Sequence, residues 1–265
     1  MKIIVSHDVD HLYWSEHWKD TFIPGLIRRT LLEWSKNSIT FSEVKRRLNF
    51  NETLNQLESL ADFNSKYNVK ATFFFGMRKG LNLSYHYKRT LPYIKMLNAR
   101  GFHVGLHGQA VDKVEEFELE KRNFFKLTGN DPHGIRNHYL RLNDRTLSLM
   151  AKYGYLYDST DYGLKPPYKI GELWEFPIQS MDGRELKEFE KSSGYRNMLD
   201  YTIMKLTKAQ KNDLPFFVIN FHDIYFNEGY PKFYYWYKDL ITCLVKDGHV
   251  FVNFEEAITE LNGQG

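Results

Sequence analysis

Five apolar runs of three to five residues, parted by longer amphipathic stretches, constrain what this chain can fold into more than any other feature. They are Ile3-Ile4-Val5, Ala71-Thr72-Phe73-Phe74-Phe75, Phe102-His103-Val104-Gly105-Leu106, Phe216-Phe217-Val218-Ile219-Asn220 and Val250-Phe251-Val252. Runs this short, rich in β-branched and aromatic residues, predict buried strands. Hydrophobic residues at helical spacing predict helices over about 52–66, 87–100, 113–127, 143–153, 198–210 and 232–247. Strand and helix in alternation imply a parallel sheet or barrel with helical crossovers. At 265 residues the chain is long enough to bury such a core, and a single α/β domain over residues 1–265 is expected.

One stretch breaks the alternation. Residues 11–50 follow the first strand with more chain than a βα loop needs. Trp14, Trp18, Phe22, Ile23, Leu26, Ile27, Leu31, Leu32 and Trp34 recur there at helix-like spacings, with Arg28, Arg29 and Lys36 among them. A helical hairpin packed on the barrel is the plainest reading of this insertion. A lid over an active site, or shallow contact with a membrane surface or lipid-linked substrate, suits the same mixture.

Composition narrows the classes. The net charge is only +3 and Lys and Arg are spread along the chain, which argues against nucleic acid as a partner. Cys243 is the sole cysteine, so no intramolecular disulfide forms. Met1-Lys2 leads directly into a strand-like run instead of a secretory leader, and no apolar stretch reaches transmembrane length; a cytoplasmic location is the expectation. The 18 Tyr and 20 Phe are a high aromatic share. Sugar clefts use such rings, although most aromatic residues fill cores.

Chemistry-bearing residues sit where the predicted strands end. Ser6-His7-Asp8-Val9-Asp10-His11 closes the first strand, and in an extended segment Asp8 and Asp10 face the same side. Gly101-Phe102-His103-Val104-Gly105-Leu106-His107-Gly108 ends another on His107. His103 lies four residues earlier, about 13 Å away along a strand, too far to share an ion; a core histidine is the expectation for it. Gly134-Ile135-Arg136-Asn137-His138-Tyr139 and Asn220-Phe221-His222-Asp223 supply further candidates. If the sheet closes as a barrel, acids and histidines from several strand ends converge on one mouth, a pattern suited to hydrolysis at a metal centre.

In order along the chain these segments resemble the motifs of the polysaccharide deacetylases, the NodB-like carbohydrate esterase 4 family. Asp8-Val9-Asp10 is similar to the paired-aspartate motif, Lys70-Ala71-Thr72-Phe73-Phe74 to the strand after the first helix, and Gly101 to His107 to the glycine-bracketed motif. Gly134-Ile135-Arg136 resembles the arginine motif, Tyr157-Asp158-Ser159-Thr160 the segment beyond it, Leu173-Trp174-Glu175-Phe176-Pro177 the fourth region, and Phe221-His222-Asp223 the final histidine motif. The resemblance spans nearly the whole chain. It implies a distorted (β/α) barrel in which Asp8 is the general base, Asp10 and His107 are metal ligands, His222 is the general acid and Arg136 orients and charge-tunes Asp8.

The pattern departs from the family at one point. The second metal histidine usually stands four residues after the first, and here that place is Val111, while Gly108 replaces the usual Ser or Thr. His138 is the best substitute, since it alternates onto the side of Arg136, and His11 is second. The reduced imidazole count leaves the ion's identity open between zinc, the leading expectation, and a harder cation. Asp158 and Glu175 are candidates to orient metal ligands, with a turn cap as the alternative for Asp158.

The function expected from this resemblance is metal-dependent removal of an N- or O-acyl group, acetyl foremost, from an amino sugar or glycan intermediate, in surface polysaccharide assembly. Two alternatives stand beside it: a non-catalytic carbohydrate-binding protein on a degenerate barrel, motivated by Val111, and a related amidase or deformylase.

Overall fold

The computed structural model describes residues 1–189 and 195–263. Its strands are β1 (Lys2–Val9), β2 (Ala71–Gly76), β3 (His103–Gly108), β4 (Gly134–Asn137), β5 (Tyr157–Asp158), β6 (Tyr168–Ile170), β7 (Leu173–Glu175), β8 (Ser180–Met181), β9 (Phe216–Asn220) and β10 (Val250–Phe251). Around them lie α1 (Phe22–Ser35), α2 (Phe41–Arg47), α3 (Leu57–Lys66), α4 (Leu91–Ala99), α5 (Val114–Thr128), α6 (Thr146–Lys152), α7 (Asp182–Phe189), α8 (Tyr195–Lys211), α9 (Pro231–Lys246) and α10 (Phe254–Gly263).

The strands form one sheet in the order β6-β7-β5-β4-β3-β2-β1-β9-β8, with β10 beside the start of β1. Every pairing is parallel except β6 with β7. The stretch 173–181 pairs with β5 at its start and with β9 at its end, and Ile178 bridges Tyr162 between them. The sheet thereby returns on itself as a distorted barrel.

Alternation along the strands sorts side chains into two cores. Ile4, Phe74, Tyr157, Phe176, Phe216 and Val218 turn inward and meet Phe254 and Ala257 of α10, which plugs the N-terminal end of the barrel. Their neighbours Ile3, Val5, Phe73, Phe75, Phe217 and Ile219 turn outward under the helices. The interior is therefore apolar at its base, and the inward positions nearer the C-terminal strand ends are free to be polar.

Residues 11–50 form a 3-10 turn and then the helical pair α1 and α2. Ile23 and Leu26 of α1 pack with Trp14, Leu54, Ile224 and Tyr230, so the hairpin is seated beside the barrel mouth. The buried Arg47 fastens it: Nε donates to Gly229 O at 2.8 Å, Nη1 to Glu33 at 2.8 Å, and the guanidinium lies 4.3 Å over Tyr230.

Two expectations need correction. Helix α3 begins at Leu57, not near 52, because Asn55 Nδ2 is held to Leu12 O at 3.0 Å and Gln56 N to Asp223 at 3.1 Å, which keeps the preceding residues out of helical conformation. His103 is no core histidine. It opens β3 at the opposite end of the barrel from His107, is one-third exposed, and pairs with Glu255 of α10 at 2.9 Å.

Candidate metal centre and catalytic groups

Above the apolar base, Arg136 fills the barrel axis. Its guanidinium lies 4.6 Å over the Phe74 ring and is completely buried. Nη1 donates to Ser6 Oγ at 2.7 Å, Asn220 Oδ1 at 2.7 Å and Asp8 Oδ1 at 3.1 Å, while Nε and Nη2 donate to Ser159 O and Oγ, each at 2.7 Å. The second oxygen of Asp8 accepts from Asn220 Nδ2 at 2.8 Å. Burial pushes the Asp8 carboxyl up, yet the Arg136 charge, with His107 and His222, brings it below the usual carboxylate value.

One step outward stand Asp10, His107 and His138, whose ligand atoms all lie within 4.8 Å of one another. Asp10 Oδ1 is 3.2 Å from His107 Nε2 and 3.3 Å from His138 Nδ1, and the two ring nitrogens are 3.0 Å apart. The far nitrogens decide what these contacts are. His107 Nδ1 donates to Arg136 O at 3.0 Å and His138 Nε2 donates to Leu81 O at 2.8 Å, because a carbonyl can only accept. In neutral rings, His107 Nε2 and His138 Nδ1 therefore present lone pairs to each other and to Asp10 Oδ1, which is buried without a hydrogen bond. Three lone pairs facing one point repel unless a cation lies among them. The donor set fits a divalent metal, and two imidazoles with one carboxylate leave an open position. With no metal, a proton serves: burial lowers the His138 pKa, but the Asp10 carboxylate outweighs it and raises the value above that of a free imidazole.

His138 reaches this position through backbone strain. Tyr139 and Leu140 follow it at φ of 59° and 53°, and the facing Leu81 and Asn82 have φ of 49° and 72°. Such left-handed conformations cost non-glycine residues on the order of 1 kcal/mol or more each. The two turns hold each other, since Asn82 Nδ2 also donates to Tyr139 OH at 2.7 Å.

The turn after β3, which carries Val111, is instead occupied by structure. Asn137 Nδ2 donates to Ala110 O at 2.8 Å and to Arg141 O at 3.0 Å. A Cβ on Gly108 would lie 2.4 Å from Asn137 Oδ1, so glycine at 108 makes room for the residue that clamps this turn.

Across the mouth, His222 Nε2 is 3.7 Å from Asp10 Oδ2 and 4.0 Å from Asp8 Oδ2. Its Nδ1 contacts both oxygens of the buried Asp182 at 3.0 Å, and its backbone N donates to Asp182 Oδ2 at 2.7 Å. Burial opposes its charging, but Asp182, then Asp10 and Asp8, push the pKa up to about 10, so His222 is an imidazolium at neutral pH. The barrel thus brings Asp8, Asp10, His107, Arg136, His138 and His222 to one end.

His11 takes another course. Its Nδ1 meets His17 Nε2 at 3.1 Å, His17 Nδ1 meets Asp20 at 2.7 Å, and both rings lie on Phe22. It lies outside the three-ligand cluster and belongs to a chain that ties the insertion to the mouth. Asp158 and Glu175 touch none of the ligands; Asp158 accepts from Thr160 N at 3.2 Å and Thr160 Oγ1 at 2.6 Å, capping its turn, and Glu175 accepts from Asp161 N at 2.9 Å. Sequence reasoning missed Asp182 and the two-way role of Asn220. Asn220 was visible as a polar end to an apolar strand, two residues before His222. For Asp182, 40 residues from its partner, no local signal exists.

No family model and no curated protein sequence matches the chain. Solved structures do. A Mycobacterium smegmatis protein assigned as a polysaccharide deacetylase is similar with a TM-score of 0.65 at 18% identity, over 98% of this chain and 88% of that one. Puue allantoinase gives 0.63 at 15% identity, over 96% and 88% of the two chains. A CE4 family pseudoenzyme from Bacillus anthracis gives 0.51 at 12% identity, over 96% and 64%. The fold is that of the polysaccharide deacetylases, and at these identities the likeness is one of fold.

Proposed function

We propose that the chain is a metal-dependent hydrolase that removes an acyl group, acetyl foremost, from nitrogen or oxygen of an amino sugar or glycan intermediate. The observation that carries this reading is the convergence of Asp10 Oδ1, His107 Nε2 and His138 Nδ1 on one point, between an ionised Asp8 and a protonated His222. An ion held there, zinc by its donor set, supplies Lewis acidity toward an acyl oxygen and toward water. Asp8, steadied by Arg136 and Asn220, accepts the proton of the attacking water. His222, held by Asp182, donates from Nε2 to the leaving amine or alkoxide. The buried Arg136 also fixes the position of Asp8 through Ser6, Asn220 and Ser159.

The complete donor set weighs against a binding-only role despite Val111. The test is acetate release from acetylated amino sugars by zinc-loaded protein, with linear and cyclic amides as comparators. Turnover of the sugars is expected, falling on the order of 100-fold or more in Asp8→Asn. Turnover of the amides alone would move the assignment to an amidase, and unchanged turnover in Asp8→Asn would remove that residue from its role.

A further inference from the structure

The outer face of the α1–α2 hairpin plays no part in the chemistry above, and its surface is unlike the rest of the molecule. Among the described residues, 15 large hydrophobic side chains are exposed, and six of them, Trp18, Leu31, Leu32, Trp34, Phe41 and Phe50, fall within residues 18–50. Trp18 is 68% and Phe41 55% exposed. At the hairpin tip Trp34 and Phe41 lie 5.8 Å apart, with Lys45 Nζ 4.8 Å over the Phe41 ring.

The same segment also carries an excess of positive charge. Residues 18–50 hold seven Lys and Arg against three Asp and Glu, an excess of four, whereas the whole chain has an excess of three. Basic residues occur throughout, and residues 63–111 carry eight with no acidic residue, so what sets the hairpin apart is that its cations lie among exposed aromatic and aliphatic side chains. The acidic residues here are engaged locally: Glu33 with Arg47, Glu43 as the cap of α2, and Asp20 with His17 and Ser84. Arg28, Arg29 and Lys36 face solvent on α1 and just beyond it.

We infer that this hairpin docks the protein on an anionic lipid surface, with Leu31, Leu32, Trp34 and Phe41 entering the interface and the surrounding Lys and Arg meeting the headgroups. Exposed aromatic and aliphatic side chains ringed by cations are what such a surface recognises, since the rings settle at headgroup depth and each cation gains from the negative surface potential. The contact is peripheral: among the described residues no helix is long and apolar enough to cross a membrane. Because His17 and Asp20 join the hairpin to His11 beside Asp10, docking brings the barrel mouth near the lipid surface.

The inference stands apart from the proposed activity. The full chain is centrifuged with vesicles of phosphatidylcholine alone and of phosphatidylcholine with phosphatidylglycerol, at low and high salt, while tryptophan emission is followed. Sedimentation with the anionic vesicles, weakening with salt, and a blue shift from Trp34 are expected. The Leu32→Glu/Trp34→Glu variant is expected to lower partitioning on the order of tenfold or more, with circular dichroism and zinc content unchanged. Failure to bind, equal binding to uncharged vesicles, or a self-associated chain that this variant turns monomeric would overturn the inference, the last assigning the patch to a second copy.

Discussion

His222 owes both its orientation and its charge to Asp182, whose carboxylate contacts Nδ1 with both oxygens and also holds the backbone N. Asp182→Asn keeps the shape and removes the charge. Turnover is expected to fall on the order of 10- to 100-fold with KM and bound metal unchanged, measured by acetate release and elemental analysis; unchanged turnover would reduce Asp182 to a structural cap. At this scale the sequence disclosed the groups that close strands, because period-two alternation places Asp8 with Asp10 and Arg136 with His138. It did not disclose partners that meet only through the fold. Asp182 begins a helix far from His222 in the chain, and His17 and Asp20 lie in an insertion whose path along the barrel no local pattern specifies.

Where α2 meets the loop before α9, the backbones approach closely. A Cβ on Gly229 would lie 2.6 Å from Arg47 N and 2.8 Å from Arg47 Cα, atoms of a helix that cannot swing aside. Gly229→Ala is expected to cost about 1–3 kcal/mol, seen as a lower denaturant midpoint, and to loosen the hairpin; an unchanged midpoint would mean that α2 shifts freely. The long apolar strands β1, β2, β3 and β9 were legible because burial on both faces leaves runs of hydrophobic residues. The two- and three-residue strands β5, β7 and β8 were not, since Asp158, Glu175 and Ser180 turn polar groups into buried networks and interrupt the pattern. Helix α10 also escaped sequence reading, although its Phe254 completes the base of the barrel.

For the molecule as a whole, pH sets opposing demands. His7, fully buried, is lowered to about 3 by burial, so its contribution is present above its free value of 6.5 and is lost as pH falls. Asp223 is raised from 3.8 to about 8 by burial, with Asp10 adding to it; its contribution is present at low pH and is lost as pH rises toward 8. Between the two free values these effects oppose each other. Above pH 6.5 the loss from Asp223 continues alone of the two, amounting to about 2 kcal/mol by pH 8, while His222 adds a decline of the same sign up to about 10. Denaturant titrations of metal-free protein are expected to show this fall, and Asp223→Asn, which keeps the shape of the neutral carboxyl without its titration, to remove the Asp223 part, so that the wild-type curve drops away from the variant's as pH rises toward 8; parallel curves would mean that Asp223 is ionised throughout. The barrel itself was legible from strand–helix alternation, and its closure by residues 173–181 was not. The measurement that bears most directly on the whole account is calorimetric titration of metal-free protein with zinc, in parallel with His138→Ala. Binding of a single equivalent, weakened at least about 100-fold by the substitution, is the expected result; no binding, or equal affinity in His138→Ala, would contradict a metal centre built from Asp10, His107 and His138.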